Sequence, residues 1–265
     1  MEAYDPLSTV AQDKTIWTEV FTVRSFEAGV SGTLSIQNLC NYFQEAAGNH
    51  ARALGVSVEQ LQQKRMTWML SRLHVKVQRY PSWKDTVFVD TWPSGHNGLF
   101  ATREFRMYTE AGDQVARGTS AWLLIDLRRR RPMRMPDFID QIPVPEIPRA
   151  IPDPFLKILS PEQATIQRHF EVRFSDLDVN GHANNVSFIN WAVESVPATI
   201  QKTHQLKAIE VNFRTEAHQG HTIISKARKD AVDGGMVLHH ALFNASDEEE
   251  KEIATVRSRW STLLK

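Results

Sequence analysis

The chain has one cysteine in 265 residues, no excess charge of either sign and no long apolar run. A single Cys40 excludes an intramolecular disulfide and any thiolate zinc cluster, which fits a reducing compartment. Lys plus Arg number 31 and Asp plus Glu number 31, so the formal charge is zero. A neutral chain has no global attraction to nucleic acid or to an anionic membrane, and any acidic partner must be met by a local patch. No segment approaches the ~20 apolar residues of a membrane span. The first thirty residues carry Asp, Glu and Lys at short intervals, unlike a signal or transit peptide. A soluble, cytoplasmic protein is expected.

Proline is sparse except in one place. Eight of the twelve prolines lie between Pro132 and Pro161, a segment that can form neither a regular helix nor a central strand. It reads as an extended crossover between two halves. Phe138, Ile139, Ile142, Ile147 and Phe155 suggest that it packs on the protein surface. The expected organisation is a first domain over 1–134, a proline-rich linker over 135–164 and a second domain over 165–265.

The halves repeat. A shift of 149 residues aligns Phe21 with Phe170, Val23 with Val172, Arg24 with Arg173, Val30 with Val179, Gly32 with Gly181, Asn41 with Asn190 and Glu45 with Glu194. Each half then offers one helix. Ile36, Leu39, Cys40, Phe43 and Ala47 follow the spacing of a buried helical face, as do Ile189, Ala192, Val193 and Val196, with Asn184 as a plausible N-cap and Pro197 as a stop. Alternating strands follow the helix in each half. The fold class is therefore α+β, a long helix wrapped by an antiparallel sheet, present twice.

The richest segment is Asp178-Val179-Asn180-Gly181-His182-Ala183-Asn184-Asn185. On an extended backbone its carboxylate, amide and imidazole would share one side, next to the free N–H groups of a helix start. Those parts suit hydrolysis of a carbonyl compound. The same residue types also make ordinary turns. The repeat argues for function, because the aligned positions of the first half are Gly29, Ser31 and Thr33, so the fold element does not itself demand Asp, Asn and His.

Several long runs carry a family resemblance: NLCNYFQEAAGNHARALG and WMLSRLHVKVQRYPSWKDTVFVDTW in the first half, RFSDLDVNGHANNVSFINWAVESVP and EVNFRTEAHQG in the second. Over almost its whole length the chain resembles the acyl-acyl-carrier-protein thioesterases of bacteria and plant plastids, and it looks like a bacterial member. The resemblance implies two tandem hotdog domains with catalysis in the second. It matches Asp178, Asn180 and His182 to the family's catalytic residues, and Glu216 to a further catalytic carboxylate. Plant members usually carry cysteine directly after that glutamate; here Ala217 stands there, which closes a cysteine acyl-enzyme route. The substrate implied is a fatty acyl chain on acyl carrier protein, with no cofactor. Acyl-coenzyme A hydrolysis and noncatalytic acyl-thioester binding are the rival readings.

Three further expectations follow. The basic run Arg128-Arg129-Arg130-Arg131 is either a solvated loop or a docking patch for an acidic carrier protein. Trp68, Met69, Leu70 and Leu73 are candidates for an acyl tunnel, or plain core. No metal site is expected: His239 and His240 point to opposite faces of a strand, and His218 and His221 read as structural or surface residues. Hotdog units commonly pair, so either a monomer or a homodimer fits.

Overall fold

A computed structural model describes residues 15–263. Part of the expectation for the chain's start falls on residues 1–14, outside the described residues. Among the described residues no helix is long and apolar enough to cross a membrane.

The chain divides into two compact units, one taking in residues up to 69 and 77–152, the other 70–76 and 153–265. The main division falls inside the proline-rich segment. In the first unit, β1 (Trp17–Thr22) leads through a short 3-10 turn to α1 (Ile36–Ala53) and α2 (Val58–Gln63). Then come β2 (Met66–Val77), β3 (Thr86–His96), β4 (Phe100–Thr109), β5 (Gln114–Asp126) and β6 (Arg131–Met133). The order is β1-β3-β4-β5, antiparallel throughout, with β6 on β5.

Helix α1 starts because Ser35 caps it, its side chain accepting from the Asn38 N–H at 3.3 Å. The apolar stripe read from the sequence is the buried face: Ile36, Leu39, Cys40, Phe43 and Ala47 are all inside, joined by Tyr42 and Ala46. Phe43 stacks on Phe105 of β4, with ring centroids 4.7 Å apart. Burying each large side chain contributes about 1.5–3 kcal/mol, so this face, rather than helix propensity, holds α1 on the sheet.

The second unit repeats the plan: β7 (Ile166–Glu171), a 3-10 turn, α3 (Asn185–Glu194), α4 (Ala198–Thr203), β8 (His204–Phe213), β9 (Thr222–Val232), β10 (Gly235–Asn244) and β11 (Lys251–Thr262). The order is β8-β11-β10-β9-β7, and residues 72–76 of β2 pair with β8. Phe188 of α3 meets Phe213 of β8 edge-on at 5.6 Å, and Ile189 and Ala192 are buried beneath the helix. Pro197 ends the α3 pattern as expected and is the N-cap position of α4.

Within each unit its share of the proline-rich segment packs rather than floats. In the first, the fully buried Glu104 carboxylate accepts from Arg149 Nε at 2.9 Å and from the Ala150 N–H at 3.0 Å. In the second, the Thr255 hydroxyl donates to the Ile158 carbonyl at 3.1 Å.

Candidate active site

The segment between β7 and α3 is not extended, so strict alternation of Asp178, Asn180 and His182 does not hold. Leu177 bridges Ala183, the Asp178 N–H donates to the His182 carbonyl at 2.7 Å, and the Gly181 N–H donates to the Asp178 carbonyl at 3.0 Å. Gly181 reverses the chain at φ +77°, a conformation that L side chains rarely adopt. Asp178 Oδ1 accepts the N–H groups of Asn180 at 2.8 Å and His182 at 3.3 Å. Asp178 is thus the side chain that closes the turn, because a short carboxylate can bond the backbone two residues on.

The turn is anchored at both ends. Before it, the buried Asp176 carboxylate takes the Arg173 guanidinium at 2.9 Å, and its carbonyl accepts the Asn184 N–H at 2.8 Å and the Ser187 hydroxyl at 3.0 Å. Burial works to raise the Asp176 carboxyl, but the Arg173 guanidinium and backbone N–H outweigh it and hold the group below its ordinary value. After it, Asn184 caps α3, its Oδ1 accepting from the Val186 N–H at 3.0 Å. That confirms the cap read from the sequence.

Glu216 lies three residues past the end of β8, in the connection to β9. The Ala183 N–H donates to the Ala217 carbonyl at 2.8 Å. This one bond ties the residue after His182 to the residue after Glu216, and His182 Nε2 stands 3.4 Å from Glu216 Oε2. Both side chains are open to solvent. His218, read from the sequence as a structural or surface residue, joins them: its ring meets that of His182 edge-on, with centroids 5.0 Å apart. The fold therefore brings Glu216 to His182, keeps Asp178 in the turn that carries His182, and adds His218. Asn180 is exposed on the turn, its Nδ2 3.4 Å from Asp178 Oδ2.

The first unit shows what the fold requires of this loop. Gly29 donates to the Thr33 carbonyl at 2.9 Å, Gly32 donates to the Gly29 carbonyl at 2.9 Å, and Gly32 has φ +72°. Arg24 grips Glu27 at 2.6 Å as Arg173 grips Asp176. The same turn forms with no acid, amide or imidazole at its tip.

Cys40 is buried in α1 and burial pushes its thiol up to about 12, so it stays protonated at neutral pH. Ala217 supplies no thiol. His240 is buried between Ser195 and Ser258, at 3.3 and 2.9 Å, while its neighbour His239 faces Asp230. Arg128, Arg129 and Arg130 lie in the exposed turn between β5 and β6 and Arg131 opens β6; Asp126 accepts the N–H groups of Arg128 at 2.8 Å and Arg129 at 3.1 Å, and the four arginines are exposed. Along β2, alternation puts Trp68 and Leu70 on one face and Met69 and Leu73 on the other, so the four do not line one cavity together. The Trp68 indole N–H is tied to the Val56 carbonyl at 2.9 Å, and its ring packs against Leu61, Met66 and Leu124.

A helix laid on an antiparallel sheet, twice in one chain, with a carboxylate–imidazole pair beside the second helix start, defines a tandem hotdog protein. Residues 14–142 match the acyl-ACP thioesterase N-terminal domain and residues 159–262 the acyl-ACP thioesterase C-terminal domain. The chain belongs to the acyl-ACP thioesterase family. It is 32% identical over 277 residues to a chloroplastic palmitoyl-acyl carrier protein thioesterase of Gossypium hirsutum, covering 96% of this chain and 66% of that one. The chain thus spans just under two thirds of the length of that relative. A solved 12:0-ACP thioesterase from Umbellularia californica superposes with a TM-score of 0.83 over 94% of each chain at 28% identity. An acyl-ACP thioesterase from Bacteroides thetaiotaomicron has the same fold, with a TM-score of 0.82 over 93% of this chain and 98% of that one at 23% identity.

Proposed function

We propose that the chain hydrolyses the thioester of a fatty acyl group carried by acyl carrier protein, releasing fatty acid and free carrier. The observation that carries this reading is the His182–Glu216 pair at 3.4 Å, clamped by a backbone bond beside the α3 N-terminus. Family membership supplies the substrate class.

In the proposed reaction Glu216 holds a water and takes its proton as the oxygen attacks the thioester carbon. The oxyanion that forms is met by Asn180 or by a backbone N–H at the start of α3. The N–H groups of Ala183, Asn184, Val186 and Ser187 are each engaged, so the backbone candidate is that of Asn185. His182 orients the water and carboxylate, and as the oxyanion collapses and the C–S bond breaks it relays the proton held by Glu216 to the departing thiolate, which restores the Glu216 carboxylate. Asp178 acts by fixing the turn that presents Asn180 and His182. The water-activating site is present once per chain, in the second unit.

Arg128, Arg129, Arg130 and Arg131 form the proposed docking patch, since a chain of zero formal charge needs local positive charge to capture an acidic carrier. Of the tunnel candidates, Trp68 is assigned to packing, and Met69, Leu70 and Leu73 stay the candidates for acyl contact. The compartment proposed is the cytoplasm, because the lone thiol is buried and has no partner for a disulfide.

The test is release of fatty acid from matched acyl chains on carrier protein and on coenzyme A. Faster release from the carrier is expected. Faster release from coenzyme A would favour the rival substrate, and no release from either would leave only an acyl-binding module.

A further inference from the structure

Glu216 and His218 flank Ala217, whose carbonyl is clamped to the N–H beside His182. Three ligand atoms, one each from His182, Glu216 and His218, lie within 4.8 Å of one another. In a tetrahedral zinc site with bonds of about 2.0–2.1 Å, two ligand atoms stand roughly 3.3 Å apart. The His182 Nε2–Glu216 Oε2 separation of 3.4 Å already has that spacing. Two imidazoles and one carboxylate form a donor set that leaves a fourth position open, and imidazole-rich sites favour zinc and its neighbours. The cluster faces solvent, so an ion has a path in.

The other cluster of this kind among the described residues, His74 with Asp153 and Glu210, is already committed: Asp153 pairs with His74 Nδ1 at 2.5 Å and Glu210 takes the Arg257 guanidinium. Among the described residues, the ion pairs of the cluster at Glu216 include no such competing cation.

We propose that His182, Glu216 and His218 capture one divalent transition-metal ion, and that capture switches hydrolysis off. The ion takes the lone pairs of the imidazole and carboxylate that would otherwise hold and deprotonate the water; no covalent bond forms or breaks in the protein. The switch rests on the reading of His182 and Glu216 as the hydrolytic pair. The metal site itself does not.

The probe is Zn2+ added to the full chain, with binding followed by calorimetry and hydrolysis followed on a small acyl thioester. Wild type should bind one ion, lose turnover in step with occupancy and recover it when a chelator is added. His218→Gln should keep the wild-type melting midpoint, yet bind zinc about tenfold or more weakly and need that much more zinc to lose half of its own metal-free turnover, the lower range seen for loss of even an outer partner of a metal site. Equal zinc sensitivity in wild type and variant, no binding in calorimetry, or activation by zinc would each overturn the proposal. One-to-one binding that needs His218 but leaves turnover untouched would overturn the switch, and would trace its failure to the catalytic reading rather than to the site.

Discussion

Gly181 and Gly32 occupy the same place in the two loops, at φ +77° and φ +72°. A Cβ added at either meets no atom within 4 Å, so alanine there pays only for the left-handed backbone. That conformation costs an L residue about 1–2 kcal/mol. For a chain of this size, each kcal/mol moves the melting midpoint by roughly 2–4 °C. Gly181→Ala and Gly32→Ala should therefore lower the midpoint alike, by roughly 2–8 °C. Their effects on turnover should separate. Backbone relaxation in Gly181→Ala shifts His182, the next residue, away from Glu216, and a displacement of order 1 Å at a reacting group costs about 100-fold. Backbone relaxation in Gly32→Ala shifts Thr33, which the account gives no role. The assay is thermal unfolding of both variants beside fatty acid release from carrier-linked substrate. Comparable loss of turnover in Gly32→Ala would refute the claim of one site per chain, and unchanged turnover in Gly181→Ala would refute the role of the His182 turn.

Reversing the charge of Arg128 through Arg131 should raise KM for carrier-linked substrate roughly tenfold at low salt, since each exposed ion pair contributes up to ~1 kcal/mol. KM for a small acyl thioester should not change; equal effects on both substrates would argue against docking. His240 supplies a pH test. Burial, followed by the neighbouring His239, lowers its imidazole from 6.5 to about 3. Below 6.5 the unfolded chain binds a proton that the folded chain refuses, so stability is full above that pH and falls as pH drops toward 3. Between pH 6.5 and 5 this amounts to about 2 kcal/mol at 1.36 kcal/mol per unit. Denaturant unfolding of His240→Asn at pH 7.5 and 5.0 should show a pH dependence weaker by that amount, and an unaltered dependence would count against the burial argument.

The repeat was legible because the residues that shape the loop recur: Arg24 and Arg173 grip an acid three positions on, and Gly32 and Gly181 reverse the chain. The buried stripe of α1 was legible because a helix must present one face to its sheet. The geometry of Asp178, Asn180 and His182 was not, since alternation presumes an extended backbone and Asp178 bonds its own turn instead. The Asn180-Gly181 pair was a turn signal in plain sight. His218 escaped because its meeting with His182 depends on the bond between Ala183 and Ala217, 34 positions apart, which no local pattern announces. The edge strands β1 and β7 bury no residue fully and show no clean apolar alternation, and α2 and α4 are six residues each, too short for a helical period to show.

The most direct test of the proposed water-activating site is single-turnover release of fatty acid by Glu216→Gln, with acyl-carrier binding measured on the same protein. The amide keeps size and hydrogen bonding but cannot accept the proton. Release should fall about 100- to 10,000-fold with binding unchanged, the range that loss of a general base produces. Release at the wild-type rate would contradict the account.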